Sequence, residues 1–239
     1  MVGMIFAAGL GTRLKPLTDT MPKALVPLAG KPLLQWQVEK LRDAGITDII
    51  VNVHHFPDMI IDTIRANEGW GCTILISDER DQLLDTGGGL KKIINEKLKI
   101  KNEPILACNV DILSNIAIKE LVRAYGQTGI SQLVVSERQT QRYLCFGTND
   151  CLCGWTNIKT SELKGHDGRR LAFSGMQILD AEVLNYLNEM PEDKFSLIDF
   201  YLHVMEKVSL KAFVPANYRM MDVGKIDQIE EAERFAESL

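Results

Sequence analysis

Hydrophobic residues recur along the chain in two alternating patterns. Short continuous apolar runs that stop at Gly, Pro or polar residues are typical of buried strands. Apolar residues spaced three or four positions apart are typical of amphipathic helices. The apolar run 2–8 is followed by a helical pattern at Leu34, Val38 and Leu41 and then by a second run at 48–53. This segment therefore predicts a strand, a helix and a second strand.

The same alternation continues through the middle of the chain. We predict further strands over residues 72–76, 104–110 and 132–136, separated by helices around 60–64, 90–94 and 121–125. Strands that alternate with helices in this way form a mainly parallel sheet with helices on both faces. We therefore predict the doubly wound α/β class, in which ligands bind beyond the carboxyl ends of the strands.

The pattern changes after Arg138. Two apolar runs flank the turn-forming residues 147–150 and predict a β-hairpin. The remaining predicted elements are a strand at 172–179, helices at 181–187 and 197–206, a strand at 211–214 and a helix at 226–238. We expect one domain over residues 1–239, with a first half at 1–138 and a second half at 139–239 that carries the small inserted hairpin. No hexapeptide repeat is present, so we do not expect a left-handed β-helix.

Composition narrows the classes of partner. The chain has 239 residues, of which 46% are hydrophobic, which is enough for one sizeable core. Its net charge of −5, from 27 basic and 32 acidic residues, argues against a nucleic-acid partner. The five cysteines include no Cys-x-x-Cys pair and favour a reducing compartment over a disulfide framework. No apolar run reaches the roughly 18 residues of a membrane helix, so we expect a cytoplasmic protein with no membrane partner.

A glycine-rich loop follows the first predicted strand. Gly9 and Gly11 lack the Cβ atoms that would keep backbone N–H groups from converging on a phosphate. The loop has neither the third glycine of a dinucleotide-binding loop nor the Gly-Lys-Ser/Thr of a P-loop. It is followed by three cations, Arg13, Lys15 and Lys23. Three positive charges beside exposed backbone amides suit a triphosphate better than a dinucleotide.

The residues around this loop form a long motif in three segments. The segments are Ala7-Ala8-Gly9-Leu10-Gly11-Thr12-Arg13-Leu14-Lys15-Pro16-Leu17-Thr18, Pro22-Lys23-Ala24-Leu25-Val26-Pro27 and Gly30-Lys31-Pro32-Leu33. Together they resemble the signature of the sugar-1-phosphate nucleotidyltransferases (NDP-sugar pyrophosphorylases). The resemblance is greatest to the short N-acetylmuramate-1-phosphate uridylyltransferases and mannose-1-phosphate guanylyltransferase-like members. It covers nearly the whole chain and is loosest over residues 139–168.

This resemblance implies a fold and a reaction. The fold is a Rossmann-like nucleotidyltransferase domain. The reaction is the Mg²⁺-dependent transfer of a nucleotidyl group from an NTP to a sugar 1-phosphate, which gives an NDP-sugar and pyrophosphate. The resemblance also implies a role in cell-envelope sugar metabolism, carried out by a monomer or a small homo-oligomer.

The resemblance also implies roles for individual residues of the loop. The Arg13 side chain would neutralise the β- and γ-phosphates of the NTP. The Lys23 side chain would bridge the α-phosphate and the phosphate of the incoming sugar. Further nucleotide contacts are expected from Ala8, Gly9, Gly11 and Thr12.

Two carboxylates are candidate magnesium ligands. Asp111 follows the predicted strand 104–110, so it lies at the carboxyl end of that strand, where this sheet class binds ligands. The resemblance makes it one Mg²⁺ ligand and makes Asp222, in the Asp-x-Gly element that ends at Gly224, the second. Mg²⁺ is commonly held by one or two carboxylates together with substrate phosphates. We therefore expect Mg²⁺ as the cofactor.

The resemblance implies fewer residues for recognition of the base and the sugar than for the phosphates. Gln82 and Gly87 have the spacing that uracil- and thymine-specific relatives use, which favours UTP over GTP. Asp85 or Glu79 would provide a carboxylate for guanine, so GTP stays open. For the sugar, the resemblance points to Asn109, Gly175 and Glu162 as binding residues. Glu162 and Lys164 stand in for a Glu-Lys pair that has no clear counterpart in this chain.

Two other functions are compatible with the same loop. One is cytidylyl transfer to phosphocholine or a similar alcohol phosphate, in which Trp155 and Tyr143 would form part of an aromatic cage for the ammonium group. The other is a non-catalytic regulatory subunit that binds nucleotide sugars, because a fold does not fix a function. The joint presence of Arg13, Lys23, Asp111 and Asp222 argues against a non-catalytic subunit.

Overall fold

The computed structural model describes residues 1–96 and 103–239. The strands are β1 (Val2–Phe6), β2 (Pro27–Leu28), β3 (Lys31–Pro32), β4 (Asp48–Val53), β5 (Thr73–Asp78), β6 (Ile105–Asn109), β7 (Ile112–Ser114), β8 (Ser131–Ser136), β9 (Arg142–Phe146), β10 (Leu152–Asn157), β11 (Glu162–Gly165), β12 (Arg169–Leu179), β13 (Leu210–Phe213) and β14 (Met220–Asp222). The α-helices are α1 (Leu33–Asp43), α2 (Pro57–Ala66), α3 (Asp85–Asn95), α4 (Ile118–Thr128), α5 (Ala181–Asn185), α6 (Leu197–Val204) and α7 (Ile229–Glu237). Short 3-10 turns lie at Thr12–Leu14, Leu17–Asp19, Lys23–Leu25, Glu68–Gly71, Tyr186–Glu189 and Ile226–Gln228.

Ten of the strands form one mixed sheet. Its order is β11-β10-β9-β12-β6-β1-β4-β5, with β8 paired to β12 and β13 paired to β8. Strands β6, β1, β4 and β5 are mutually parallel and form the nucleus that the alternating pattern predicts. Strand β12 is antiparallel to β6, β8 and β9 and extends the sheet beyond that nucleus. The doubly wound α/β class is confirmed, with an antiparallel extension that carries the predicted hairpin β9–β10.

Helices cover both faces of the sheet, as predicted. Apolar side chains of α1, α2, α4 and α7 pack with one set of strand residues, which includes Ile5 and Val51. Apolar side chains of α3, α5 and α6 pack with the other set, which includes Met4 and Phe6. Neighbouring residues of β1 therefore face opposite layers, as the two-residue period of a strand requires. The carboxyl ends of the strands are left open between the two layers.

Helix α3 begins earlier than the hydrophobic pattern predicts. We expected a helix around 90–94, and the helix starts at Asp85 and contains Gly87, Gly88 and Gly89. A Cβ at Gly87 would lie 2.4 Å from the Phe195 ring, and a Cβ at Gly88 would lie 2.0 Å from the backbone oxygen of Asp193. The glycines therefore let the segment before α6 pack directly on the helix. They hide the start of the helix because they carry no apolar side chains.

Among the short strands that were not predicted, β7 and β14 bring distant segments together. Strand β14 pairs antiparallel with β7, with Met220 opposite Ser114 and Asp222 opposite Ile112. The pairing continues past its end, where the Val223 N–H donates to the Asp111 carbonyl at 2.8 Å. Strands of three residues are too short to show a period in the sequence. Their pairing places the segment before α7 beside the carboxyl end of β6.

Helix α1 holds β7 in place through two polar side chains. The Gln37 amide donates to the Ile112 carbonyl at 2.8 Å. The Lys40 ammonium donates to the Ser114 carbonyl at 2.5 Å and to the Ser114 hydroxyl at 2.7 Å. Burial lowers the pKa of Lys40 to about 8. The helix thus fixes β7 with one neutral and one titratable donor.

Two further features of the chain concern membrane-spanning helices and disulfide bonds. Within residues 1–96 and 103–239, no helix combines the length and the apolar character that a bilayer crossing requires. All five cysteines lie in the described part of the chain and are free thiols.

Lys40 makes the stability of the fold depend on pH in the alkaline range. Its pKa is lower in the folded chain than in the unfolded chain, so the unfolded chain binds more protons between about pH 8 and about pH 10. The free energy of unfolding of the wild type should therefore rise with pH across this window, relative to Lys40→Met. Urea unfolding of both proteins at pH 7, 8, 9 and 10 measures this difference. A constant difference at all four pH values would contradict the assignment.

Candidate active site

A cleft of about 420 Å³ lies at the carboxyl ends of β1 and β6, where the sheet class predicts a ligand site. Its lining combines the glycine-rich loop, the end of β6 and parts of two more distant segments. The lining residues are Phe6, Gly9, Leu10, Gly11, Thr12, Arg13, Lys23, Leu83, Thr86, Asn109, Val110, Asp111 and Gly224. Seven of the residues expected from the sequence lie in this one cleft, namely Gly9, Gly11, Thr12, Arg13, Lys23, Asn109 and Asp111. Ala8, also expected, is buried directly before the loop.

The two glycines of the loop have different structural roles. Gly11 has a φ of 65°, and a Cβ there would lie 2.8 Å from the Thr18 methyl group and 3.0 Å from the Cβ of Lys23. The buried Thr18 hydroxyl donates to the Gly11 carbonyl at 2.9 Å and fixes this tight turn. Gly9 has no atom of the described residues within 4 Å of its missing Cβ, and it opens into the cleft. Gly11 shapes the loop, whereas Gly9 leaves room beside it.

The backbone of this loop offers unpaired donors. The N–H groups of Gly9, Leu10 and Gly11 make no hydrogen bond to any other residue within the described ranges. Gly9 and Leu10 are exposed, and all three residues line the cleft. Free backbone N–H groups that face a concave surface form a binding site for anions. The loop is therefore a candidate anion site.

Lys23 and Asp111 form an ion pair on the wall of the cleft. The Lys23 ammonium contacts the Asp111 carboxylate, and only 8% of the Lys23 surface is exposed. A buried cation is costly to desolvate unless it has a close partner of opposite charge. The pair therefore holds the Lys23 ammonium in one position beside the glycine-rich loop.

Asp222 stands next to this pair because β14 runs beside β7. Its pKa is raised, mainly by desolvation and then by the negative charge of Asp111, while Lys23, Arg13 and Arg138 partly offset that rise. Two carboxylates that share a site resist ionising together unless a cation lies between or beside them. The arrangement therefore suits a cation as a third member.

The donor set favours a hard cation. The part of the chain that the structure describes contains no group of three or more His, Cys, Asp and Glu side chains placed to hold a metal. Zinc sites use three or four such ligands, whereas Mg²⁺ commonly takes one or two carboxylates and completes its shell with phosphates and water. Asp111 and Asp222 together fit Mg²⁺.

Gly224 lets Arg13 approach Asp222. A Cβ at Gly224 would lie 2.8 Å from an Arg13 guanidinium nitrogen and 2.5 Å from an Asp222 carboxylate oxygen. The glycine is buried, and both side chains pass over its surface. Sequence reasoning noted this glycine only as the end of the Asp-x-Gly element. The structure adds that it makes space for the second cation of the cleft.

Asn109 and Gly175, two residues expected at the sugar, are in contact. Gly175 has a φ of 69° and lies where the register between β12 and β8 shifts. A Cβ there would lie 3.0 Å from the Asn109 amide nitrogen. The glycine therefore makes room for the Asn109 side chain, which lines the cleft.

The structure does not bring Gln82 and Gly87 to this cleft. Gln82 lines a neighbouring cavity together with Lys91 and Asp193. The Gly87 N–H donates to the Phe195 carbonyl at 2.9 Å, so packing of the segment before α6 already uses it. The intervening turn instead presents Leu83 and Thr86 to the cleft. Because α3 begins earlier than the pattern indicates, neither Gln82 nor Gly87 lines this cleft, and their contact with the base stays a prediction.

Glu162 is also separated from the cleft. It lies on the edge strand β11, is exposed, and pairs with Lys164 at 3.7 Å. Strands β10 and β9 lie between β11 and β12, the strand of Gly175. Because neighbouring strands are about 4.8 Å apart, the separation of β11 from β12 is roughly 14 Å. Glu162 is therefore not brought to Asn109 and Gly175, and its role at the sugar stays a prediction that this geometry does not support.

The aromatic residues considered for an ammonium cage have other partners. The Lys164 ammonium lies 5.5 Å from the centre of the Trp155 ring. The Tyr143 hydroxyl accepts the Thr140 N–H at 3.0 Å. Neither ring lines the cleft. The structure therefore provides no support from these residues for a choline-type substrate.

Comparison with known proteins gives a family match for the chain. The family model described as nucleotidyl transferase matches residues 2–238, nearly the whole chain.

Two of the curated relatives illustrate the range of the sequence matches. The N-acetylmuramate alpha-1-phosphate uridylyltransferase of Caulobacter vibrioides is 43% identical over 112 residues, which cover 46% of this chain and 45% of that protein. The mannose-1-phosphate guanyltransferase of Kluyveromyces lactis is 38% identical over 232 residues, which cover 94% of this chain and 62% of that protein. The matched regions thus span 45% of the length of the first relative and 62% of the length of the second.

A solved structure shares the fold along the whole chain. HddC from Yersinia pseudotuberculosis, solved in complex with GMP-PN, has a TM-score of 0.76 and is 25% identical. The match covers 99% of this chain and 100% of that chain.

The two loop glycines should respond differently to alanine. Gly11→Ala forces an L side chain into a left-handed backbone and against Thr18, so we expect a loss of about 1–2 kcal/mol in the free energy of unfolding. Gly9→Ala meets no described atom and should change that free energy by less than about 0.5 kcal/mol. The Gly9→Ala protein should nevertheless bind UTP and GTP more weakly, since its methyl group would occupy space that is open in the cleft. Urea unfolding and calorimetric titration measure the two effects. Equal stability losses in both variants would refute this division of roles.

Proposed function

The chain belongs to the nucleotidyl transferase family, and we propose that it transfers a nucleotidyl group from an NTP to a sugar 1-phosphate, with UTP favoured over GTP. One observation carries this proposal. Free loop amides, two cations and two carboxylates, supplied by segments far apart in the chain, lie in or beside one cleft. This combination matches the charge pattern of a triphosphate with its metal ion.

The reaction needs positioning and positive charge more than proton transfer. An oxygen of the sugar phosphate attacks the α-phosphorus of the NTP and forms a new P–O bond. The bond from the α-phosphorus to the oxygen that bridges to the β-phosphate breaks, and pyrophosphate leaves with the electron pair. The attacking oxygen is already anionic near neutral pH. A cleft whose described lining has no His or Cys nucleophile is therefore adequate for this chemistry.

The loop and its cations hold the triphosphate. The N–H groups of Gly9, Leu10 and Gly11 bind phosphate oxygens, and the Arg13 guanidinium neutralises the β- and γ-phosphates. Arg suits this role because its planar donors pair with two phosphate oxygens at once. These contacts also stabilise the charge that collects on the departing pyrophosphate.

Lys23 acts at the transferred phosphate. Its ion pair with Asp111 holds the ammonium beside the loop, between the expected positions of the α-phosphate and the sugar phosphate. The ammonium lowers the repulsion between the two phosphates, which must approach each other for the attack. Donors that are fixed before the reaction stabilise the transition state without a cost of reorganisation.

Asp111 and Asp222 would hold Mg²⁺. When bound, the ion would neutralise the charge that develops on the α-phosphate and would orient its oxygens. The two aspartates fit this role because β7 and β14 place them side by side. Gly224 allows Arg13 to reach the same place, so the cations and the carboxylates form one network.

The substrate choices follow from the rest of the lining. We assign the sugar to Asn109 and Gly175, and the base to Leu83 and Thr86 on the opposite side of the loop. The Caulobacter relative, a uridylyltransferase by name, supports UTP. The Kluyveromyces relative and HddC with GMP-PN keep GTP as the second nucleotide to test. The free cysteines fit a reducing cytoplasm, which is where we place the reaction.

Removal of the first carboxylate should abolish the reaction. In an assay of pyrophosphate release with Mg²⁺, each of the four NTPs, and a panel of sugar 1-phosphates, Asp111→Ala should lower kcat by about 100-fold or more. Asp48→Asn changes an exposed aspartate at the start of β4, at the opposite edge of the sheet, and should have no effect. Near-normal turnover by Asp111→Ala would remove Asp111 from the metal site. Absence of pyrophosphate from every pair with the wild type would favour a non-catalytic binding protein.

Substitutions at Leu83 and Gln82 test which of these two residues contacts the base. The cleft lining favours Leu83, whereas the sequence alone favours Gln82. Leu83→Ala should raise the KM for the preferred NTP about five-fold, which corresponds to about 1 kcal/mol of lost apolar contact with the base. Gln82→Ala should leave that KM within about two-fold, since Gln82 lines another cavity. Initial rates at varied NTP and saturating sugar 1-phosphate measure both. The reverse result would return Gln82 to the base site.

A further inference from the structure

Two buried polar side chains connect the two sides of the nucleotide cleft. Asn52 and Glu79 are each only 2% exposed. Asn52 lies in β4 next to β1, and Glu79 directly follows β5. The carboxyl ends of these parallel strands meet at the edge that carries the cleft. Neither side chain lines the cleft itself.

Three hydrogen bonds run through the pair from one side to the other. The Ala7 N–H donates to the Asn52 amide oxygen at 2.8 Å. The Asn52 amide nitrogen donates to one Glu79 carboxylate oxygen at 2.8 Å. The second Glu79 oxygen accepts the Leu84 N–H at 3.2 Å. Because a backbone N–H can only donate, both ends of the chain of bonds have a fixed direction.

The ends of this chain of bonds are the two segments that receive the nucleotide. Ala7 begins the loop that continues to Gly9 and Arg13. Leu84 lies in the turn between Leu83 and Thr86, which face the cleft from the other side. Any change in the spacing of Asn52 and Glu79 therefore changes the distance between the phosphate-binding loop and the turn beside the base.

The surroundings of the pair are adapted to keep it in place. A Cβ at Gly89 would lie 2.7 Å from a Glu79 oxygen and 3.0 Å from the Asn52 amide nitrogen, so the third glycine of α3 makes room for both side chains. The His54 imidazole also contacts the Glu79 carbonyl at 2.7 Å. Burial raises the pKa of the Glu79 carboxyl, while its two N–H partners favour the ionised form. Burying such a group is costly, and the hydrogen bonds from Asn52 and Leu84 offset part of that cost.

We infer that Asn52 and Glu79 are a positioning pair that sets the width of the nucleotide cleft, so that one NTP contacts the loop and the turn together. This inference rests on the proposed function for the identity of the ligand. It removes Glu79 from the candidates for direct contact with guanine, since its side chain is buried and does not line the cleft. Glu79 and Asn52 touch no substrate, and their effect is exerted through Ala7 and Leu84.

The pair permits a test in which the hydrogen-bond polarity is reversed. In Glu79→Gln, the new amide nitrogen must face either the Asn52 amide nitrogen or the Leu84 N–H, so at least one of the three bonds is lost. In Asn52→Asp, two carboxylates face each other. In the double variant N52D/E79Q, the carboxylate now at position 52 accepts hydrogen bonds from the Ala7 N–H and from the amide nitrogen now at position 79. The amide oxygen at position 79 accepts the hydrogen bond from the Leu84 N–H. All three bonds are then restored with the same total charge.

Two readouts are needed, and one does not depend on catalysis. Because the loss of one bond loosens the others, hydrogen exchange of the Ala7 amide, the Leu84 amide or both should accelerate about ten-fold in Glu79→Gln and return to the wild-type rate in the double variant. The KM for the preferred NTP should rise about five-fold or more in Glu79→Gln, with the KM for the sugar 1-phosphate within about two-fold, and should recover in the double variant. Ser131→Ala is a matched control, because Ser131 is buried, does not line the cleft, and loses two partly buried hydrogen bonds with Asp180.

The outcomes separate this inference from the proposed function. Unchanged exchange of both amides in Glu79→Gln, or a loss of stability like that of Ser131→Ala with an unchanged KM for the NTP, would overturn the positioning role. Failure of the wild type to release pyrophosphate would contradict the proposed reaction instead. In that event the dissociation constants of Mg·UTP and Mg·GTP take the place of KM, and the same rescue by the double variant is expected.

Discussion

The pairing of β14 with β7 is the contact on which the candidate site depends. Asp111 ends the strand β6, and Asp222 lies close to the last helix, so nothing in the chain between them requires that they meet. The antiparallel register puts Asp222 opposite Ile112 and thereby beside Asp111. Helix α1 secures this register from behind, through Gln37 and Lys40. A doubly wound sheet alone would supply one carboxylate, and this small additional pairing supplies the second.

The charges of the cleft form a balanced set. Lys23 is neutralised by Asp111, and Arg13 approaches Asp222 over Gly224. Each charge that would be costly to bury alone has a partner of opposite sign. A triphosphate with its metal ion brings both signs at once, so it can join this set without leaving an unpaired charge. The same balance explains why the region tolerates several ionic side chains next to an apolar core.

Close packing sets the shape of the nucleotide cleft from outside its lining. The glycines of α3 allow the segment before α6 and the Asn52–Glu79 pair to approach the helix backbone. Their spacing fixes the turn at Leu83 and Thr86 relative to the glycine-rich loop. Residues outside the lining thus set the distance between the loop and the turn on the two sides of the cleft. Such distances matter because the reacting groups must be aligned to within a fraction of an ångström.

The sequence by itself determined the class of the fold and the glycine-rich half of the candidate site. Alternation of apolar runs and helical periods specifies a doubly wound sheet, and a loop such as Gly9 to Arg13 is local, so its chemistry can be read from adjacent positions. Asp111 was predictable for the same reason, as the residue that ends a buried strand. The resemblance supplied Asp222, but its place beside Asp111 depends on strands too short to show a period. The side of the turn at residues 82–87 that faces the cleft depends on where α3 begins. The remoteness of Glu162 depends on two strands that lie between it and β12. These are relations between segments distant in the chain, and only tertiary packing decides them.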